Sequence, residues 1–447
     1  MTGVIHPSTA SSTTSFTAGP TERSGSSPAK VAFASLIGTT IEYYDFSVYA
    51  MAASLALGPL FFPAGDPATS TLAAFATFAV AFIARPLGSA VFSTIGDRIG
   101  RRKSLLMCLL LMGGATVAIG LLPTHATAGV VAPVLLVLCR ILQGLAVGGE
   151  WGGAVLLATE HAPANRRALF GAFPQIGPPL GFVLAAIVFS VTTALTGPQK
   201  FLAWGWRVPF LLSLVMVVVG LWVRLRVSES PVFDEAVGRH ELVRAPLVAV
   251  LREYPGRVLA GMLATLGGLT TWFLITTFSV SYGVAVLHLP QRTMIYVACA
   301  AAATHGALVI PASFVVERYG RRIPMVVGAI GVAVLAVPAF ALLRTAEPLL
   351  IGLGFCLTMV PFTLVLGPMG TWLSELFPTR VRYAGASTAF MLASLVAGFA
   401  PLVASGLLAG GRHPLLLGFY AGGFALLGAI AMLFVAETKH RSLLTSD

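Results

Sequence analysis

The stretch GDRIGRRK, residues 96–103, has a shortened second copy in ERYGRR, residues 317–322. A shift of 220 positions aligns five residues of the first copy with five of the second, namely Asp97, Arg98, Gly100, Arg101 and Arg102 with Glu317, Arg318, Gly320, Arg321 and Arg322. Matches at one fixed separation are typical of an internal repeat. The second copy departs from the first by lacking the leading Gly and the trailing Lys.

A second pair of matching segments follows the first in each half of the chain. EHAPANRR, residues 160–167, matches ELFPTRVR, residues 375–382. A shift of 215 positions aligns Glu160, Pro163 and Arg167 with Glu375, Pro378 and Arg382. One such match can arise by chance, but two in the same order indicate that the chain consists of two related halves.

The composition indicates a membrane protein. Hydrophobic residues make up 57% of the 447 residues and charged residues only 10%, whereas charged residues make up about a quarter of an ordinary soluble protein. The mean hydropathy is +0.88, and the apolar residues fall in blocks long enough to cross a hydrocarbon core of roughly 30 Å as helices. Because lipid offers no hydrogen bonds to the backbone, we expect an all-α membrane protein.

We predict twelve transmembrane helices in two six-helix bundles. The apolar blocks lie near 31–58, 70–95, 103–122, 130–159, 168–195, 206–225, 257–285, 292–315, 323–343, 347–375, 384–409 and 415–436. A segment dense in both signs of charge divides them six and six. The predicted divisions are a cytoplasmic tail, a bundle, a central cytoplasmic loop, a second bundle and a second tail, at 1–30, 31–225, 226–256, 257–436 and 437–447.

The basic residues predict the orientation. With the N-terminus inside, most of the 28 Lys and Arg fall in predicted cytoplasmic segments, which places both termini in the cytoplasm and the chain in the plasma membrane. This asymmetry accounts for the formal net charge of +11 without a nucleic-acid partner. The 1–30 tail is rich in Ser, Thr, Gly and Pro and has no apolar core, so we expect disorder and no cleaved signal.

Neither a metal nor a cofactor is expected. The four cysteines show no metal-ligand spacing and lie in apolar blocks, where we expect them to be packing residues: Cys108, Cys139, Cys299 and Cys356. The G-x-x-x-x-G-K-[ST] signature of a nucleotide site does not occur, so an ion gradient is the expected energy source.

Six ionisable residues lie within the predicted spans, namely Glu42, Asp45, Arg85, Arg140, Glu150 and His305. Ionised groups at mid-membrane cost at least about 2.5–3.5 kcal/mol, so they normally face a protein interior and serve a function. A helical rise of about 1.5 Å per residue places the acids and the arginines near the middle of the membrane. His305 could titrate near neutral pH, although a lone histidine in a helix is more often packed in its neutral form.

Two acids share one face of the first predicted helix. In GTTIEYYDFSVYA, residues 38–50, Asp45 follows Glu42 by three residues and Tyr49 follows Asp45 by four, so a helix turns all three the same way. Such acids need a cation or a proton, and Arg85 and Arg140 are candidate counter-charges. A carboxylate that alternates between protonated and arginine-paired states would couple a proton to solute movement. Fixed ion pairs that only stabilise the bundle are the alternative.

The duplicated layout and GDRIGRRK resemble the major facilitator superfamily. Further stretches resemble its metabolite:proton symporter family, namely IEYYDFSVYA (41–50), FIARPLG (82–88), RILQGLAVGGEWGGA (140–154), FPQIGPPLG (173–181), SESPVF (228–233) and ELFPTRVRYAGAS (375–387). The resemblance covers nearly all of 31–440. It implies roles in substrate and proton handling for Tyr44, Asp45, Arg140 and Gln143.

The resemblance also implies that the repeated loops help to hold the cytoplasmic side closed. The gate residues expected on this basis are Gly96, Asp97, Arg98, Gly100, Arg101, Arg102, Glu160, Glu317, Arg318, Arg321, Glu375 and Arg382. Basic residues that serve only to orient the chain in the membrane are the alternative.

We expect a secondary transporter that imports a small polar metabolite with protons by alternating access. Guanidinium groups bind carboxylates bidentately, so Arg85 and Arg140 favour an organic acid or a zwitterion; similar proteins of the family carry shikimate, 2-oxoglutarate, citrate, proline or glycine betaine. We expect a monomer without enzymatic activity. Its expected partners are the solute, the proton and the bilayer. One alternative is a proton-coupled efflux antiporter, because GPPLG, residues 177–181, loosely resembles the glycine-proline motif in the fifth helix of efflux members. The other is a polytopic enzyme that uses the acids and His305.

Overall fold

The computed structural model describes residues 27–63, 67–226, 246–408 and 411–439. Some side chains inside these ranges are not described, and those of Asp97 and Arg101, two of the expected gate residues, are among them. Most of the predicted tail at 1–30, most of the central loop at 226–256 and the end of the second tail lie outside the described residues.

The described residues form helices joined by short turns and contain no β-strand. The twelve long helices are α1 Pro28–Ala52, α2 Pro67–Ile99, α3 Arg101–Leu121, α4 Val131–Glu160, α5 Arg167–Lys200, α6 Arg207–Arg224, α7 Pro255–Phe273, α8 Gln291–Tyr319, α9 Arg322–Ala341, α10 Pro348–Leu376, α11 Arg382–Gly398 and α12 Leu415–Leu433. Each overlaps its predicted apolar block, so the prediction of twelve helices is confirmed.

Shorter helical segments extend or connect the long helices. Single π-helical turns, Ala53–Leu57, Phe201–Gly205 and Leu274–Phe278, continue α1, α5 and α7. One-turn or two-turn α-helices lie at Gly58–Phe61, His125–Ala128, Pro246–Glu253, Ser279–Ala285 and Ala400–Leu407, and 3₁₀ turns lie at Ala164–Arg166, Leu342–Thr345 and Thr379–Val381.

Helix α1 differs in composition from the other long helices. In the part of the chain that the structure describes, eleven helical segments, which correspond to α2–α12, are long and apolar enough to cross a membrane. Helix α1 falls short because it carries Lys30, Glu42 and Asp45 among many hydroxyl residues. Glu42 and Asp45 are nevertheless buried, since neighbouring helices cover the polar face of α1.

The two sequence repeats adopt the same backbone structure. Helices α2 and α8 both end just before a glycine with a positive φ, +106° at Gly100 and +89° at Gly320. A residue with a side chain is strained at such an angle, which explains why glycine is kept in both copies. In the second repeat, α4 and α10 each lead through a 3₁₀ turn into a helix that begins at an arginine, Arg167 or Arg382.

The helices pack as two bundles with equivalent contacts. In the first, α1 packs on α5, α2 on α4 and α3 on α6; in the second, α7 packs on α11, α8 on α10 and α9 on α12. The bundles meet along two seams, α2 with α11 and α5 with α8, which are equivalent under the same repeat. We call the end of the molecule that carries residues 96–103 and 317–322 the basic end.

Candidate functional site

The two acids of α1 point into the first bundle. Asp45 is fully buried, and its carboxylate accepts hydrogen bonds from the hydroxyls of Thr116 on α3, at 2.9 Å, and Ser213 on α6. The neighbouring Tyr44 donates its hydroxyl to the carbonyl of Pro209 on α6 at 2.8 Å. Among the described residues, neither Asp45 nor Glu42 forms an ion pair.

A chain of polar contacts joins Asp45 to Arg140. Gln143 Nε2 donates to Thr116 Oγ1 at 2.7 Å, and Arg140 Nη1 donates to Gln143 Oε1 at 2.7 Å. The Arg140 guanidinium also lies 3.8 Å from the centroid of the Tyr49 ring. The structure therefore brings together four of the residues expected from the sequence, with a hydroxyl and an amide between the acid and the arginine.

Glu150 pairs with an arginine that the sequence analysis did not select. Its carboxylate binds the guanidinium of Arg224 at the end of α6, and both side chains are buried. Arg224 Nη1 also donates to the carbonyl of Leu105 at 2.6 Å. Arg224 is one of several basic residues near the end of a span, and position alone does not separate it from those that orient the chain.

Glu42 lies within the fields of several charges. Those of Glu150, Arg85, Arg224 and Asp45 act on it, and its Oε2 is buried without a hydrogen-bond partner in the described part of the chain. A buried carboxylate without a partner is costly when ionised. Glu42 can therefore hold a proton or exchange partners.

Arg85 lies at the seam between the bundles. Its Nη1 donates to Ser394 Oγ on α11 at 2.7 Å, and its guanidinium lies 4.1 Å from the Phe82 ring centroid and 4.9 Å from that of Phe46. Phe273 on α7 packs edge-on against Phe82 at 5.3 Å. A buried cation thus sits among aromatic rings from both bundles, with a neutral hydroxyl as its hydrogen-bond partner.

His305 lies in the second bundle, apart from the acids. Its Nδ1 is 2.9 Å from Thr363 Oγ1, and its ring packs edge-on against Phe362 at 4.8 Å and Trp272 at 6.0 Å. Trp272 also lines a narrow cleft of about 40 Å³ between α1, α5, α7 and α8, together with Phe46, Ser47, Phe182 and Thr276. Thr277, Val280 and Ser281, which follow Trp272 along the chain, contribute to the same lining.

Contacts between the bundles close the basic end. Arg382 Nη1 donates to Glu160 Oε1 at 3.4 Å, and the hydroxyl of Tyr383 donates to the carbonyl of Gly149. Trp151 stacks on Phe390 with the ring centroids 3.6 Å apart. At the opposite end, a cavity of about 630 Å³ lies between α2, the segment that continues α7 and the short helix Ala400–Leu407 that follows α11.

Besides Arg382 and Glu160, three of the expected gate acids and arginines support this closure, namely Glu317, Arg321 and Glu375. Glu317 on α8 accepts the backbone N–H groups of Ala168 and Leu169 on α5. Arg321 binds Glu375 at 2.9 Å and Glu317 at 3.3 Å.

The other gate residues occupy varied places. Gly96 packs against the Tyr383 ring, so that a Cβ there would lie 2.3 Å from Cε1. Arg102 donates to the carbonyls of Arg224 and Leu225. Arg98 is exposed, and Arg318 accepts a hydrogen bond at its carbonyl from Lys439 Nζ. The side chains of Asp97 and Arg101 lie outside the described part.

The segment after α12 also contacts the gate, which the sequence analysis did not anticipate. Glu437 accepts the backbone N–H groups of Arg321 at 2.9 Å and Arg322 at 3.0 Å, at the start of α9. Thr438 Oγ1 donates to Glu375 Oε2 at 2.7 Å. An acid at a helix N-terminus is a recognisable arrangement, but here the acid and the helix are far apart in sequence.

Comparison with known proteins identifies the family. The model of the Sugar (and other) transporter family matches residues 30–256 and 249–447. The chain is 43% identical to the Escherichia coli inner membrane metabolite transport protein YhjE, over 93% of this chain and 95% of that protein. It is 34% identical to the Escherichia coli shikimate transporter, over 92% and 95% of the two chains.

A solved structure shares the fold. The major facilitator superfamily proton:xylose symporter XylE, bound to 6-bromo-6-deoxy-D-glucose, superposes with a TM-score of 0.76 at 19% identity, over 93% of this chain and 98% of that chain. The chain therefore belongs to the Sugar (and other) transporter family and is a multi-pass membrane transporter with the major facilitator fold, not an enzyme.

Proposed function

We propose that this protein is a proton-coupled symporter that imports a small metabolite bearing a carboxylate group. The observation that carries the proposal is the placement of Arg85, a buried guanidinium at the α2–α11 seam whose hydrogen-bond partner is the neutral Ser394. A buried charge is stabilised only by good compensating partners. A solute carboxylate is such a partner, and a guanidinium can bind it through two hydrogen bonds.

Glu42 supplies a means of coupling. Its charge acts on Arg85, so an ionised Glu42 and a solute carboxylate compete for the same cation. A proton on Glu42 removes that competition and favours the solute on Arg85. Asp45, which is linked to Arg140 through Thr116 and Gln143, is the second proposed proton site.

The aromatic cleft beside this site suits a solute with an apolar or cationic body. Phe46, which packs on Arg85, also lines the cleft together with Phe182 and Trp272. Aromatic faces attract alkyl groups and quaternary ammonium groups. Monocarboxylates and zwitterions such as betaines are therefore preferred over tricarboxylates, for which a single seam arginine would be insufficient.

The proposal includes an orientation and a cycle. We place the basic end and both termini in the cytoplasm of a cell membrane, since basic residues are retained on that side. The bundles, near 31–225 and 257–436, rock about the site as a monomer, so that the basic end opens after the opposite end closes. His305, which contacts the aromatic wall at Trp272, is assigned to the solute pocket.

Uptake into proteoliposomes tests the proposal. An inward proton gradient is imposed on vesicles that contain the purified protein. Their uptake of radiolabelled shikimate, lactate, 2-oxoglutarate, proline and glycine betaine is then measured, one solute at a time. We expect concentrative uptake of at least one carboxylate, which a protonophore abolishes. If the uptake of a panel solute is the same with and without the proton gradient, the protein is a uniporter. If the gradient instead drives the solute out of loaded vesicles, the protein is an antiporter.

Variants at the site test the assignments. Arg85→Gln should raise the KM for the carboxylate about 100-fold, the scale expected when one partner of a buried charge pair is lost. Arg344→Gln, which alters an exposed arginine, is the control.

Asp45→Asn should abolish concentrative uptake while leaving solute exchange, because the Asn cannot release a proton. Normal coupled uptake by Asp45→Asn would remove this residue from the mechanism.

A further inference from the structure

One face of α1 carries a continuous buried polar stripe. Ser35, Gly38, Glu42 and Asp45 follow each other at intervals of three or four residues, and all are buried. This spacing keeps them on one side of the helix. From Ser35 to Asp45 the stripe spans about 15 Å along the helix axis, from the middle of α1 toward the basic end.

The stripe faces the interior of the first bundle instead of the seams. Asp45 contacts α3 and α6 through Thr116 and Ser213. One turn beyond Glu42, the guanidinium of Arg224 on α6 lies so close to Gly38 that a Cβ there would be 2.0 Å from Nη2. Glycine at position 38 therefore makes room for the cation beside the stripe.

A small cavity continues the stripe toward the basic end. Ala34 and Ser35 line it with Arg102 and Leu105 of α3, Ala154 and Leu157 of α4, and Arg224 of α6, around a volume of about 10 Å³, which is the room that one water molecule needs. Ser35 Oγ is buried and has no hydrogen-bond partner among the described residues. A buried hydroxyl in this state is a site where a water molecule is stabilised.

Glu42 and Glu150 lie between Asp45 and this cavity, and the charge of Arg224 acts on both of them. Glu150 holds Arg224 in an ion pair. The other ionisable groups that face Glu42 are Asp45 and Tyr43 on α1, Arg85 on α2 and Cys108 on α3. Because Glu42 Oε2 is without a partner in the described residues, it can receive a proton.

We propose that Glu42, Glu150 and Arg224 form a proton exit path through the interior of the first bundle, separate from the path of the solute. The inference rests on the proposed proton coupling. A proton leaves the carboxyl of Asp45 and joins Glu42 Oε2. It then passes to Glu150 as the guanidinium of Arg224 moves from Glu150 to the newly ionised Glu42. A water molecule in the Ser35 cavity takes the proton from Glu150, and Arg224 returns.

Separate paths have a consequence for the cycle. The bonds from Tyr383 to Gly149 and from Arg382 to Glu160 close the solute path at the basic end. None of these four residues lines the Ser35 cavity. The proton can therefore leave without the bundles separating, and its departure restores Glu42 as a competitor for Arg85.

The first experiment measures the protonation of Glu42 without any solute. Infrared difference spectra of the purified protein in liposomes, titrated from acid to neutral pH, record the carbonyl stretch of protonated carboxyl groups. We expect a titrating band that is absent in Glu42→Gln and shifted in Arg224→Gln. A spectrum of Glu42→Gln that matches the unaltered protein would overturn the proposal, whether or not uptake is proton-coupled.

The second experiment separates a proton path from a structural ion pair. Glu150→Gln/Arg224→Gln removes both charges and leaves neither one unpaired. We expect this double variant to exchange the panel solute that the unaltered protein accumulates, at a normal rate. Its concentrative uptake should fall about 100-fold, as when a positioned acid–base group is lost.

The outcomes of the second experiment are distinct from failure of the proposed function. Concentrative uptake by the double variant equal to that of the unaltered protein would show that the pair is structural and would overturn the exit path. If the unaltered protein itself shows no gradient-driven uptake, the proposed coupling fails. Thr127→Ala, which removes an exposed hydroxyl in the short helix His125–Ala128, is the control and should leave both activities unchanged.

Discussion

At the scale of single residues, the buried charges of this transporter differ in how they are compensated. Glu150 has a cation, Arg224, whereas Asp45 has two hydroxyl donors and Arg85 has a hydroxyl and two aromatic faces. Glu150 is therefore compensated in this state, and the proposed proton exit requires its pair with Arg224 to open. Asp45 and Arg85 lack full compensation, and in a transporter such groups are the ones free to exchange a proton or a solute.

Glu437 allows a prediction about pH. Partial burial acts to raise the pKa of its carboxyl, but the backbone N–H groups of Arg321, Arg322, Lys439 and Thr438 outweigh this and hold the pKa below its usual value. The stabilisation from Glu437 is therefore present above the ordinary pKa of a glutamate and is lost as the pH falls through the lower pKa of the folded state.

Glu437→Gln should lower the free energy of unfolding by about 0.5 kcal/mol at neutral pH, since the carboxylate is exposed and screened. The thermal midpoints of the two proteins should converge as the pH falls below the usual range for glutamate. Glu347→Gln is the control, because Glu347 precedes α10 without capping its backbone N–H groups. A difference between Glu437→Gln and the unaltered protein that persists in acid would contradict the assignment.

At the scale of helices, glycine determines how closely α2 and α4 approach. A Cβ at Gly144 would lie 2.2 Å from the carbonyl oxygen of Ala81, and one at Gly148 would lie 2.1 Å from that of Arg85. Small residues four apart are the usual means of close helix packing in membranes. This pair also fixes the backbone that carries Arg85 to the seam.

Gly148→Ala should destabilise the protein by about 2 kcal/mol, because the added methyl meets backbone atoms that can move only with the whole helix. Thermal unfolding in detergent measures the effect, and we also expect a raised KM because Arg85 shifts. Gly114→Ala on α3 is the matched control, since no atom lies within 4 Å of a Cβ there. Equal midpoints for the two variants would contradict the close packing of α2 on α4.

At the scale of the whole molecule, the structure is closed at the basic end and contains its large cavity at the other. The closure involves side chains from both bundles, including the stack of Trp151 on Phe390 and the bond from Tyr383 to Gly149. Glycine again permits the contact, since a Cβ at Gly152 would lie 1.8 Å from Ser387 Oγ. Alternating access requires these contacts to break and re-form.

Gly152→Trp should therefore prevent closure and shift the population toward a form that is open at the basic end, with loss of transport. The distance between spin labels at positions 161 and 380, measured by double electron–electron resonance, should lengthen. Gly114→Trp is the control because its site is open. A distance distribution unchanged by Gly152→Trp would show that α4 and α11 do not form the closing contact.

The sequence by itself determined the twelve spans, the duplication and six of the buried ionisable residues, although not Arg224. These follow from local composition and from fixed spacing, which need no knowledge of how helices rotate against each other. Glycine at positions 100 and 320 and the arginines that begin α5 and α11 were equally visible, because each occurs twice in the same local context.

Only the tertiary structure decided which groups are partners. Arg224 on Glu150, Ser394 on Arg85 and Glu437 on the start of α9 are joined across long stretches of sequence. Apolar side chains cover both the lipid-facing and the buried faces of a membrane helix, so hydropathy reports the length of a span but not its rotation. The direction in which Glu42 and Asp45 point, into a bundle instead of a seam, depends on that rotation and is fixed by helix packing.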